Sequence, residues 1–215
     1  KLSVNAFTEQ YKSWCKKTGY RFSANDALKI HTSARTCVTT LPKAESVKLL
    51  IIQSIASLNA MYDTLFALRN EMKRLASLLP EYTVVMSMHG AGSITGSQLI
   101  AEIGDVSRFT HKGALVAFAG VDAPPYQSGV FEASSQRVSK RGSPHLRSTL
   151  FQVCSIILRT APFDDPVFQF MSRKRAEGKH FYVYMVAGAN KFLRIYYARV
   201  KECMDKVANS DTQSA

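Results

Sequence analysis

The segment between Pro42 and Pro80 constrains the architecture more than any other part of this sequence. Apolar residues recur there every seven positions, at Ile51, Leu58, Leu65, Met72 and Leu79, and Met61, Leu68 and Leu75 stand three residues after 58, 65 and 72. That spacing keeps one apolar line on one side of a continuous helix. A helix over 43–79 would be about 55 Å long at about 1.5 Å per residue, too long for a compact domain. Two readings stand: a coiled-coil arm that pairs two copies of the chain or spaces two domains, and a long core helix covered by residues 1–40. Both make the fold mainly α.

On the N-terminal side, Phe7, Tyr11 and Trp14 at spacings of four and three predict an amphipathic helix that Gly19 closes. These rings read more readily as core than as a base-stacking platform. The cap-rich Ser23-Ala24-Asn25-Asp26 predicts a second helix. Residues 1–80 thus form a helical linker and dimerisation region, and 81–207 a second domain. Within it, residues 84–104 read as a helix-hairpin-helix, in which Gly90-x-Gly92 permits the turn and lets a DNA backbone approach the amides of the second helix. A purely structural hairpin fits those residues as well. Further helices are expected over 112–119, 144–160, 164–177 and 181–207, with a small β-hairpin pairing Val130-Phe131 with Arg137-Val138. Residues 208–215 are small and polar, and are expected to fray.

Charge narrows the partners. The 215 residues carry a formal net charge of +12 and a pI near 9.7, and 46% are hydrophobic, enough for a core. A polyanion, nucleic acid first among them, fits that balance, as would a ribosomal or membrane-surface role. Basic residues concentrate in 1–80, 126–147 and 173–215, so contacts with a polyanion would come from separate elements. Cys15, Cys37, Cys154 and Cys203 are scattered, without metal-ligand spacing, which fits a reducing bacterial cytoplasm. No uninterrupted apolar run approaches the ~20 residues that span a bilayer, and no membrane partner is expected. The opening on Lys1 suggests a fragment or a processed product.

The chemistry points to Tyr126-Gln127-Ser128-Gly129. Gly129 permits a tight bend that projects the preceding hydroxyl, making Ser128 a candidate nucleophile. Between Tyr126 and Arg147 stand Arg137, Lys140, Arg141 and Arg147 against the single acid Glu132, a field that favours a phosphate. Ser143 and Pro144 form a helix start beside Arg141, whose free amides also attract anions. The bland alternative is a Ser-Gly pair that is only a turn. Arg173, Lys174 and Arg175 form another basic cluster, read either as a solvated face or as a phosphate contact.

The order of these pieces resembles the C-terminal part of the bacterial insertion-sequence transposases that carry an N-terminal RuvC-like DEDD domain, the family that includes the pilin-gene inversion recombinase. The resemblance rests on Gly90-Ala91-Gly92, residues 100–109, Ala117-Phe118-Ala119-Gly120-Val121, Tyr126-Gln127-Ser128-Gly129, residues 139–147 and residues 173–179. His89 departs from it, because the family usually has proline before the first hairpin glycine. The resemblance implies that Ser128 becomes covalently linked to a DNA end and that a structured RNA guides the reaction. It also implies that the RuvC-like domain, absent from this chain, supplies Mg²⁺.

Two functions follow. In the first, the chain is a recombinase fragment whose Ser128 attacks a phosphodiester, with Gly90, Gly92, Arg137, Lys140, Arg141, Arg147, Arg173, Lys174 and Arg175 as candidate DNA contacts. The second is a non-catalytic nucleic-acid-binding and dimerisation module. A helix-hairpin-helix glycosylase fits poorly, because Ser93-Ile94-Thr95 offers no catalytic lysine beside the hairpin.

Overall fold

Pro80 stops the long helix earlier than the heptad suggests. The computed structural model describes residues 2–37, 44–123, 127–128, 131–132 and 138–213, and in it α3 runs Glu45–Ala76. A residue before proline is pushed out of the α region. The chain therefore leaves α3 through tightened turns, Leu78 N–H to Leu75 O and Leu79 N–H to Ala76 O, each at 3.1 Å. The helix is 32 residues, shorter than the expected 43–79. Its apolar line is bare: Ile51, Leu58 and Leu65 are 52, 52 and 49% exposed, and of the whole helix only Ala76 is buried. The reading as a covered core helix is thereby corrected. By length and composition α3 could also cross a membrane, with a mean hydropathy of 1.3 in its most apolar 18-residue window.

Contacts divide the chain into Lys1–Met61 and Tyr62–Ala215, a boundary that falls inside α3. The first unit contains α1 (Val4–Thr18) and α2 (Ala24–Thr36), capped by the hydroxyls of Ser3 and Ser23. Gly19 ends α1 in the left-handed region. Cys15 and Ala27 are buried, and His31 Nε2 lies 3.1 Å from the Leu2 carbonyl. The rings of Phe7, Tyr11, Trp14 and Tyr20 stack in series, with centroids 6.1, 6.0 and 5.3 Å apart. Trp14 is 49% exposed, so this row is only partly core.

The second unit is a helical body around α9 (Phe181–Gln213). Met185, Ala189, Phe192, Leu193, Tyr196 and Val200 recur every three or four positions and are buried, the pattern of a helix enclosed on one side. Against this side lie α4 (Tyr82–Met86), α6 (Lys112–Ala119), α7 (Pro144–Thr160) and α8 (Pro166–Ala176), and α5 (Thr95–Ile103) packs on α7 and α4. Close approach needs glycine at the α8–α9 crossing, and beside α5 the tip of Met86 occupies the space that a side chain would take. A Cβ on Gly188 of α9 would meet Met171 Sδ at 2.4 Å, and one on Gly96 of α5 would meet Met86 Cε at 1.9 Å. Tyr197 anchors the loop before α6 by donating its buried hydroxyl to the Phe109 carbonyl at 3.0 Å.

Two expectations change here. α9 continues to Gln213, into the segment expected to fray from 208. The described strand pair is β1 (Gln127–Ser128) with β2 (Phe131–Glu132), antiparallel, with Gln127 opposite Glu132 and Ser128 opposite Phe131. Phe131 therefore pairs with Ser128 and not with the segment at 137–138.

Candidate functional site

The segment that carries Ser128 leaves α6 and returns to α7 through a backbone clamp. Gly120 ends α6 in the left-handed region, φ 65°. The returning chain then bonds to the outgoing one: Ser143 N–H donates to Phe118 O at 2.7 Å, Lys140 N–H to Gly120 O at 3.2 Å, and Ser139 N–H to Asp122 O at 2.9 Å. The Ser139 hydroxyl donates to the Asp122 carboxylate. Lys140 itself sits at φ 53°, a backbone conformation unusual for a side chain other than glycine. Gly142 admits the crossing, because a Cβ there would stand 1.9 Å from the Phe118 carbonyl oxygen.

Several of the predicted residues serve this frame. Arg147 is half-buried and its Nη1 donates to the Ala119 carbonyl at 3.1 Å, tying α7 to the end of α6. Ser143 caps α7 by accepting from Leu146 N–H at 3.1 Å, and its hydroxyl donates to Glu102 Oε2 on α5 at 3.0 Å. Ser128 itself lies on β1, inside the clamped segment. Arg137 lies outside the described residues.

The hairpin glycines are also committed. Gly90 has φ 82°, and a Cβ on it would meet Val153 Cγ1 and the Val153 carbonyl oxygen at 2.8 Å and Ile157 Cγ1 at 2.9 Å. Its bareness lets the turn press onto α7. A Cβ on Gly92 would meet only Thr95 Oγ1, at an ordinary 3.9 Å, but its N–H donates to Thr95 Oγ1 at 2.9 Å, and that hydroxyl donates onward to the Gly90 carbonyl at 2.9 Å. The Gly92 amide is thus engaged within the turn. His89 holds Asp165 through Nδ1 at 3.0 Å, and Asp165 caps α8 at Val167 and Phe168.

Around α7 the remaining cations gather on one side. At about 100° per residue, Arg147, Ser148 and Phe151 project roughly opposite to Val153 and Ile157, which face the hairpin turn. The outer side of α7, with α8 and α9, borders a cavity of 1210 Å³. Lys140 and Arg147 line it together, joined by Lys191 and Arg194 of α9. These last two escaped the sequence reading. Their signal was the stripe Val183, Val186, Asn190, Lys191 and Arg194, whose spacings of three and four place one turn above the next.

The cluster at the end of α8 is split. Lys174 is paired with Glu177 at 2.7 Å, and this hydrogen bond holds the Glu177 carboxyl below its ordinary range. Arg173 lies over the Phe170 ring, 5.3 Å from its centroid, and Phe170 lines the same cavity. Arg141 and Arg175 are exposed. Among the described residues, no three His, Cys, Asp or Glu side chains stand together to hold a metal ion.

Residues 82–167 match the model of the family described as Transposase IS116/IS110/IS902. The chain is similar to the pilin gene-inverting proteins of Moraxella bovis and Moraxella lacunata, each 28% identical over 145 residues, which cover 65% of this chain and 44% of the relative. It is also similar to the insertion element IS110 uncharacterized 43.6 kDa protein of Streptomyces coelicolor, 23% identical over 154 residues, 71% of this chain and 37% of that protein. The chain spans less than half the length of these relatives.

Proposed function

We infer from residues 82–167, which belong to the transposase IS116/IS110/IS902 family, that this chain acts in DNA strand exchange and that Ser128 is its nucleophile. The observation that carries the reading is the clamp: the bonds from 139–143 back to 118–122 hold the root of the Ser128 segment against a helical frame. A serine at such a site reacts by forming a bond from Oγ to the phosphorus of a DNA phosphodiester. The bond from that phosphorus to a sugar oxygen breaks, the Oγ proton passes to a base, and the released sugar oxygen takes up a proton. Reversal of the step on a second strand completes an exchange.

A serine hydroxyl needs activation to attack. Asp122, the carboxylate nearest to Ser128 on the α6 side in sequence, is engaged by Ser139. The described donor set does not fit a metal site, so the Mg²⁺ implied by the resemblance would be held by a RuvC-like domain outside this chain, and no step here passes through it. Lys140, Arg141 and Arg175 are the predicted contacts least committed to the fold, and they are the ones we assign to the DNA backbone. A structured RNA guide and a cytoplasmic setting accompany this reading. The test is strand exchange by the full-length protein carrying Ser128→Ala. Product and the covalent DNA adduct should both disappear, and wild-type exchange in that variant would end the assignment.

The bare apolar line of α3 favours a second function beside the first, pairing of two copies of the chain. Leu58→Glu with Leu65→Glu should convert an associated species into a monomer in sedimentation experiments. A chain that is monomeric before the change would exclude it.

A further inference from the structure

The cavity beside the clamp combines two properties that nothing in the strand-exchange chemistry requires together. Its cations, Lys140, Arg147, Lys191 and Arg194, have no opposing charge, since none of its described lining residues is acidic. Its lining is also aromatic, with Phe151, Phe170 and Tyr182. The Tyr182 ring stands 6.5 Å from that of Phe151 and 5.7 Å from that of His180, and Tyr182 is 63% exposed. A tyrosine at the start of a helix, two-thirds in solvent and flanked by rings, contributes little to the core and presents a face to stack on. Cations and exposed rings side by side are what an unpaired polynucleotide needs, phosphates held by the charges and bases laid on aromatic faces. A duplex keeps its bases stacked inside and has no use for the rings. At 1210 Å³ the cavity also exceeds the ~300–1,000 Å³ of sites built for single small ligands.

Placement selects the occupant. Ala123 and Val138, the described residues at the two ends of the Ser128 segment, both line the cavity. The groove thus borders both roots of the segment that carries Ser128. Resting on the strand-exchange reading, we propose that the groove between α7, α8 and α9 takes unpaired bases of the DNA strand on which Ser128 acts, with Tyr182 as the principal stacking face and Lys191 and Arg194 on the phosphates. The strand would thus be held in the single-stranded state next to the bond to be broken.

Binding to the 215-residue chain tests this apart from the chemistry, using the fluorescence anisotropy of a labelled oligo-dT, an abasic deoxyribose-phosphate oligomer of equal length, oligo-U, and a blunt duplex. Wild type should hold oligo-dT about 5- to 150-fold more tightly than the abasic oligomer, the range that stacking of one base on one ring supplies. Tyr182→Ala should erase that difference by weakening oligo-dT alone, and Tyr182→Phe should restore it. Lys191→Glu should weaken both oligomers equally and flatten the salt dependence, by about 0.7 in slope per lost phosphate contact. Ser128→Ala should leave every affinity unchanged, so a failed nucleophile assignment and a failed groove remain distinguishable. The proposal is overturned if Tyr182→Ala binds oligo-dT as wild type does, or if it loses the duplex and the abasic oligomer in equal measure. Stronger base-dependent binding of oligo-U than of oligo-dT would assign the groove to RNA and overturn it too, as would base-independent binding throughout, the outcome expected if the chain's own residues fill the groove.

Discussion

Gly90→Ala separates a packing role for the hairpin glycines from a role in touching DNA. The substitution acts twice. At φ 82° an L-residue costs about 1–2 kcal/mol relative to glycine. The new methyl also meets Val153 Cγ1, the Val153 carbonyl oxygen and Ile157 Cγ1, all inside 3.0 Å. A carbonyl of α7 cannot rotate away as a side-chain tip can, so turn and helix must separate, and overpacking of this kind costs about 1–3 kcal/mol. The sum, about 2–5 kcal/mol, is a large part of the ~5–15 kcal/mol that holds a typical domain together. Gly92→Ala is the control. Its φ is ordinary and the nearest atom to its Cβ is Thr95 Oγ1 at 3.9 Å, so its stability should stay within ~0.5 kcal/mol of wild type. Urea unfolding followed by circular dichroism measures both, and duplex binding at low salt is read on the same samples. Equal stability losses in the two variants, or none in Gly90→Ala, would refute the packing argument. A loss of duplex affinity in stable Gly92→Ala would return that glycine to the DNA surface.

Three further outcomes follow from the site. Arg147→Ala removes a charged hydrogen bond to the Ala119 carbonyl, about 1.5–3 kcal/mol, and should speed limited proteolysis between 123 and 138; an unchanged cleavage rate would contradict the clamp. Ser143→Ala should cost about 1 kcal/mol of capping, and Ser143→Asp, which caps well elsewhere, should do no better because it faces Glu102; a stabilised Asp variant would show that the Glu102 contact is dispensable. Burial pushes the Cys154 thiol up to about 12 from 9.0, so the folded state favours the protonated form. Its contribution is complete below about pH 9 and is lost as pH rises toward about 12. Cys154→Ala should flatten that alkaline decline, and at pH 8 a thiol reagent should modify exposed Cys37 well before Cys154.

Helix positions were legible because their signals are local. Gly19, Ser23, Gly120, the Ser143-Pro144 start and Asp165 each mark a boundary by a cap or a left-handed turn: α1 ends at Gly19, α2 starts after Ser23, α6 ends at Gly120, α7 starts after Ser143 and α8 after Asp165. The heptad announced α3, and the apolar line it predicted lies exposed along that helix. What sequence could not reveal was which polar groups the fold would consume. Gly92 looked like an open amide until Thr95 claimed it, and Arg147 looked like a free cation until the Ala119 carbonyl did. Lys191 and Arg194 were invisible for the opposite reason: widely spaced basic residues on a long helix look solvated until α7 and α8 make a wall opposite them.

The backbone bonds joining 118–122 to 139–143 make the stretch between them a cassette. Its two ends are fixed beside one another by the frame, so neither its length nor its composition bears on how α6 meets α7. Lengthening such a stretch twofold costs only about 0.6 kcal/mol in closure entropy. The stretch between them can therefore be rewritten, or exchanged between related chains, while the helices that support it stay as they are.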